Sequence, residues 1–81
     1  MDFTGEYSTL IIEQQDHPGI IAHLTQCLSD HGINIAFMKM FRSEKGATAY
    51  TVIESDEKIS DEVLEEMRKV PLVDDVRLIQ N

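Results

Sequence analysis

The chain has a single cysteine, Cys27, which leaves no partner for an intramolecular disulfide and no CxxC pair for a redox or zinc-ribbon site. Positive charge is also scarce: seven Lys and Arg stand against 15 Asp and Glu, a net charge of -8 with a pI near 4.6. Phosphate contacts need Lys and Arg, so this deficit argues against nucleic acid and against an anionic membrane as partners. No apolar run is long enough for a membrane span. The first residues, Met1-Asp2-Phe3-Thr4-Gly5-Glu6, carry acids where a targeting segment would be basic. A reducing, cytoplasmic setting is the expectation. With 81 residues, 42% hydrophobic and 6% aromatic, there is material for one domain with one two-layer core and none for a second.

What is present divides cleanly. Met1 to Glu6 reads as a tail or the end of a linker, with the folded domain at 7–81. Tyr7 to Gln14 alternates enough for a strand, and its Leu10-Ile11-Ile12 centre, apolar on both faces, suits a central position in a sheet. Ile20, Ile21, Leu24, Cys27 and Leu28 recur at spacings of three and four, which predicts an amphipathic helix stopped by Gly32. Ile33 to Arg42 is a second strand. Ser43-Glu44-Lys45-Gly46 supplies a hairpin turn into a third, Ala47 to Glu54. Ser60 is a good N-cap for a second helix, with Ile59 and Leu64 placed as a hydrophobic staple. Asp61 and Glu62 in its first turn and Arg68 and Lys69 in its last suit the helix dipole. Val63, Leu64, Met67 and Val70 form its buried stripe, and Pro71 ends it. Val73 to Ile79 is a fourth strand. This βαββαβ order is that of the α+β ferredoxin-like fold, a two-layer sandwich with a four-stranded antiparallel sheet and both helices on one face.

The stretch with most chemical content joins the first strand to the first helix: Asp16-His17-Pro18-Gly19. Pro18 lacks an N–H and has a preset φ that suits a first helical turn, and Gly19 has no side chain to keep a ligand off the backbone. Unpaired amides and the positive end of the helix dipole there favour a carboxylate or phosphate. The plain alternative is a tight turn capped by Asp16.

Together with His31-Gly32-Ile33-Asn34-Ile35 and with Lys45-Gly46 and Tyr50-Thr51-Val52-Ile53-Glu54, this motif resembles the ACT domain, a ferredoxin-like module that senses amino acids and other small molecules in metabolic enzymes. The resemblance runs over about residues 8–80. Leu10 to Gly19, Ile33 to Met38 and Arg42 to Gly46 are most similar to the carboxyl-terminal ACT domain of the β subunit of iron-sulfur L-serine dehydratase. D-3-phosphoglycerate dehydrogenase carries a similar regulatory domain. The resemblance implies a role within an enzyme that converts L-serine to pyruvate and ammonia on a [4Fe-4S] cluster. Such a cluster needs several thiolates, and with one cysteine this chain holds no cofactor of that kind itself. It further implies ligand binding between two subunits, by the strand-to-helix turn of one and the start of the second strand of the other. By position those elements are Asp16, Pro18 and Gly19 with Asn34. Serine-binding domains of the dehydrogenases have a His and an Asn where Gln14 and Asp16 stand here, so weaker serine binding is expected.

The residues can meet the needs of a zwitterion. Amides near Gly19 and Ile20 would take a carboxylate, Asp16 an ammonium, and Asn34 the remaining polar group. Asn34 has a plainer role in bonding its own strand-entry backbone. His23, Cys27 and His31 recur every four residues and share a helical stripe, but no fourth ligand with its own spacing accompanies them, and Cys27 belongs to the apolar stripe; no metal is expected. Cys27 has no cationic cleft to activate it and no strained turn presents a Ser, so catalysis by this chain is not expected either. RNA-binding domains share the βαββαβ order, yet Lys45-Gly46-Ala47-Thr48-Ala49-Tyr50 has Ala where their stacking rings belong. The expected partners are therefore a small amino acid such as L-serine, a second copy paired through the edge strand Ile33 to Phe41, and a catalytic domain. A purely structural assembly module is the alternative.

Overall fold

The computed structural model describes residues 8–42 and 47–80. The expected tail at 1–6, the strand start at Tyr7 and the hairpin turn at 43–46 lie outside the described residues. The elements are β1 (Ser8–Gln15), α1 (Ile20–Asp30), β2 (Ile35–Arg42), β3 (Thr48–Ser55), α2 (Asp61–Arg68) and β4 (Val73–Ile79). The strands form one antiparallel sheet in the order β2-β3-β1-β4, so β1 is central, as its apolar centre predicts, and β2 is an edge. This is the ferredoxin-like arrangement.

Even-numbered residues of β1 face the helices: Leu10 and Ile12 are fully buried with Ile53 of β3 and Val76 of β4. The helices close this core with Ile20, Leu24 and Leu28 from α1 and Val63, Leu64 and Met67 from α2. Each of these aliphatic side chains adds about 1.5 to 3 kcal/mol by leaving water. Four buried polar residues, Ser8, Gln14, Thr51 and Ser55, break the pattern; among them the Thr51 hydroxyl donates to Gln14 Oε1 at 2.7 Å, which pairs the two inside the core.

The helix ends follow local rules. At the end of α1, Gly32 takes φ 71°, its N–H bonds Ser29 O and the Ile33 N–H bonds Leu28 O, while Ile33 and Leu28 share the core. That is a Schellman stop, and it delivers the chain to β2. At the start of α2, the Val63 N–H donates to Ser60 Oγ at 3.3 Å, and Ile59 and Leu64 are both buried as the staple requires. Gln80 reinforces that entry by bonding both the N–H and the C=O of Ile59, at 3.1 and 3.2 Å.

Two expectations need correcting. The sequence places Ile33, Ile35, Phe37 and Phe41 on one face of the second strand. In the structure a β-bulge between Ile35 and Phe37 breaks the alternation: Ile35 packs on the core, whereas Phe37 and Phe41 point to the helix-free face beside Glu54 and Tyr50. The extra residue, Ala36, shifts the pleat by one. The second correction concerns Pro18. It precedes Gly19, the N-cap of α1, and so lies outside the first helical turn that its fixed φ suits. Among the described residues no helix is long and apolar enough to cross a membrane.

Candidate functional site

The β1–α1 connection sits where the sheet ends. Gln15 N–H bonds Leu72 O at 2.8 Å and Asp16 N–H bonds Ala47 O at 3.1 Å, so the turn is tied to the approach of β4 and to the start of β3. Gly19 then turns the chain into α1 with φ 92°, a left-handed conformation open to glycine and strained for other residues. No side chain caps the first turn of α1, and Gly19 and Ile21 of that turn line the groove outside, where the positive end of the helix dipole lies. Asp16 in particular does not cap it, contrary to the plain reading of the motif. The side chain turns instead to Arg42 at the end of β2, with Oδ2 and Nε 3.3 Å apart.

Asp16, Pro18 and Gly19 gather along an open groove of about 290 Å³, which Gln14, Met40 and Arg42 also line. The groove thus combines a carboxylate, a guanidinium, the uncapped start of α1 and the Met40 side chain. Arg42 is well exposed and Asp16 partly so. An ion pair of that kind contributes about 0 to 1 kcal/mol, so a ligand that offers each partner an opposite charge can replace it at little cost. His17 stays exposed, with Nδ1 3.0 Å from Pro18 O.

The other sequence candidates lie elsewhere. Ile20 is buried at 4% exposure, and its N–H makes a long 3.5 Å turn bond to His17 O, so that amide is less available than the sequence implies. Asn34 precedes β2, at the end of the strand opposite Arg42, and it donates to Asp56 Oδ2 at 3.2 Å rather than to its own backbone. One chain therefore does not unite Asn34 with the Asp16 turn. Arg42 escaped the sequence reading because its relation to Asp16 depends on strand register: Arg42 pairs with Ala49, and Ala49 with Gln14.

A second cluster joins the helices. Cys27 is half-buried and packs against the core, as its place in the apolar stripe predicts, with Sγ 3.6 Å from Glu66 Oε2, and His31 Nε2 pairs with the same carboxylate oxygen. Burial, and then the Glu66 carboxylate, push the Cys27 thiol up to about 11, which keeps it protonated and unreactive at neutral pH.

A family model for the ACT domain matches residues 8–72. The chain belongs to the ACT domain family. Among curated relatives, it is 34% identical to D-3-phosphoglycerate dehydrogenase of Methanocaldococcus jannaschii over 98% of its length, and 31% identical to the probable L-serine dehydratase beta chain of Bacillus subtilis over 84%. It spans 15% of the former protein and 31% of the latter. Its fold matches the crystal structure of the ACT domain from GTP pyrophosphokinase of Chlorobium tepidum, with a TM-score of 0.72 at 18% identity over 90% of this chain and 96% of that one.

Proposed function

We propose that this ACT domain is an amino-acid-sensing, dimerising regulatory module of a cytoplasmic serine-metabolism enzyme, and that it performs no catalysis itself. The observation that carries the reading is the pairing of Asp16 with Arg42 in a groove that the uncapped first turn of α1 also faces. A small zwitterion such as L-serine fits that arrangement: its ammonium replaces Arg42 beside Asp16, and its carboxylate meets the guanidinium and the helix amides.

Asn34 completes the site from a second copy. A two-fold axis beside the β2 edge reverses strand direction, so the Asn34 end of one chain meets the Asp16 end of its partner, and the helices of the two chains come together. The strand ends support this: Asn34 precedes the first residue of β2 and Arg42 is its last.

For the parent enzyme, the motif phrases favour iron-sulfur L-serine dehydratase, whose [4Fe-4S] cluster lies on other cysteines than Cys27. The longer match, at 34% over 79 residues against 31% over 68, favours D-3-phosphoglycerate dehydrogenase as a second reading.

Titration with L-serine followed by calorimetry and amide chemical shifts tests the site. The Gly19, Ile20 and Asn34 signals are expected to move together. Asp16→Ala should cost about 1.5 to 3 kcal/mol of binding, roughly ten- to hundredfold in Kd. Millimolar L-serine and glycine that leave all three signals still in a proven dimer would instead favour a module that only assembles subunits.

A further inference from the structure

We propose that Cys27, His31 and Glu66 form a binding site for one divalent ion of the zinc class, which bridges the C-terminal end of α1 to α2. The three ligand atoms all lie within 4.8 Å of one another. The 3.6 Å between Cys27 Sγ and Glu66 Oε2 is the separation a tetrahedral ion would impose, since Zn–S of about 2.3 Å and Zn–O of about 2.1 Å span an edge of about 3.6 Å. Cys27 and His31 stand four residues apart at the end of α1, so they share one helical stripe; Glu66 reaches them from α2.

The donor chemistry narrows the ion. Thiolate and imidazole exclude magnesium and calcium, which take oxygen ligands, while sulfur, nitrogen and oxygen together suit zinc. Electrostatics agree: Asp30 acts on Cys27 with the same sign as Glu66, and among the described residues no Lys or Arg pairs with Glu66. The His31–Glu66 contact is what metal binding would replace, each group turning its lone pair to the ion. Three protein ligands leave a fourth position for water. None of its three residues lines the amino-acid groove.

The test uses the untagged 81-residue chain, stripped with chelator and titrated with Zn2+ by calorimetry, with Co2+ as the spectroscopic probe. Expected are one ion per chain, a thiolate-to-cobalt charge-transfer band, the strong visible bands of four-coordinate cobalt, and a melting temperature raised by zinc. Cys27→Ser should abolish the charge-transfer band. His31→Gln and Glu66→Gln should each weaken zinc binding at least about tenfold, the smaller effect known for groups that merely support a ligand. His23→Gln, on the same stripe one turn earlier, should leave affinity unchanged. Circular dichroism of each variant separates lost ligation from lost folding, with Cys27→Ala as the second substitution at that position. Cobalt bound without the thiolate band, zinc affinity that survives Cys27→Ser in a folded chain, or loss on His23→Gln equal to that on His31→Gln overturns the proposal.

Discussion

Gly19 and Leu72 both take left-handed backbone conformations, at φ 92° and 71°, but with different consequences. A Cβ at Gly19 would meet nothing within 4 Å, so Gly19→Ala tests backbone strain alone. It should destabilise the fold by about 1 to 2 kcal/mol in a urea titration; an unchanged midpoint would mean that the turn relaxes freely. Leu72 is a half-exposed residue whose carbonyl holds Gln15 N–H. Leu72→Asn keeps that carbonyl and suits the conformation, so it should stabilise by about 0.5 to 1 kcal/mol in the same assay. Cys27 offers a pH-dependent readout. Its thiol rises from 9.0 in the ordinary state to about 11 in the fold, so iodoacetamide modification of the metal-free chain should be slow at pH 8 and keep accelerating to about pH 11. Between those two values the unfolded chain has already lost a proton that the folded chain retains. This group's contribution to stability is therefore complete below pH 9 and lost as pH rises to 11. A modification rate that levels off near pH 9 would show an ordinary thiol.

The start of α2 is held by local and distant residues together. Ser60 accepts the Val63 N–H, Ile59 and Leu64 staple the turn, and Gln80 holds both backbone groups of Ile59. Ser60→Ala should cost about 1 kcal/mol in thermal or chemical denaturation. Gln80→Ala should cost about 1 to 3 kcal/mol, because it strips two partners from Ile59. The capping and staple residues are adjacent in sequence and legible there. Gln80 lies 21 positions from Ile59, and only the pairing of β4 with β1 brings it back. The same distinction explains β2. A period-two pattern assumes an unbroken pleat, and the bulge at Ala36 moved Phe37 to the opposite face from Ile35.

Taken whole, the molecule presents β2 as an open edge, with Phe37, Met38 and Phe41 each more than 40% exposed. Unpaired strand groups flanked by apolar side chains favour association. Light scattering at high micromolar concentration should report a dimer, and Met38→Lys combined with Met40→Lys should shift it to monomer; a monomeric native chain would remove the basis for a shared amino-acid site. Lys39, set over the Phe41 ring at 5.1 Å, keeps one positive charge on the helix-free face of that edge.

Periodicity, caps and turn residues were enough to specify the six elements, their order and most of the core, because each of those signals acts within a few residues of chain. They also singled out Asp16, Pro18 and Gly19, since a strand-to-helix turn is itself local. Tertiary structure alone decided what those residues face. Asp16 found Arg42 through the register of three strands, Asn34 was placed at the far end of β2 from the groove, and Cys27 and His31 met Glu66 from 35 or more positions away. Contacts across strands and between helices depend on how elements pack, and no spacing within one segment encodes them.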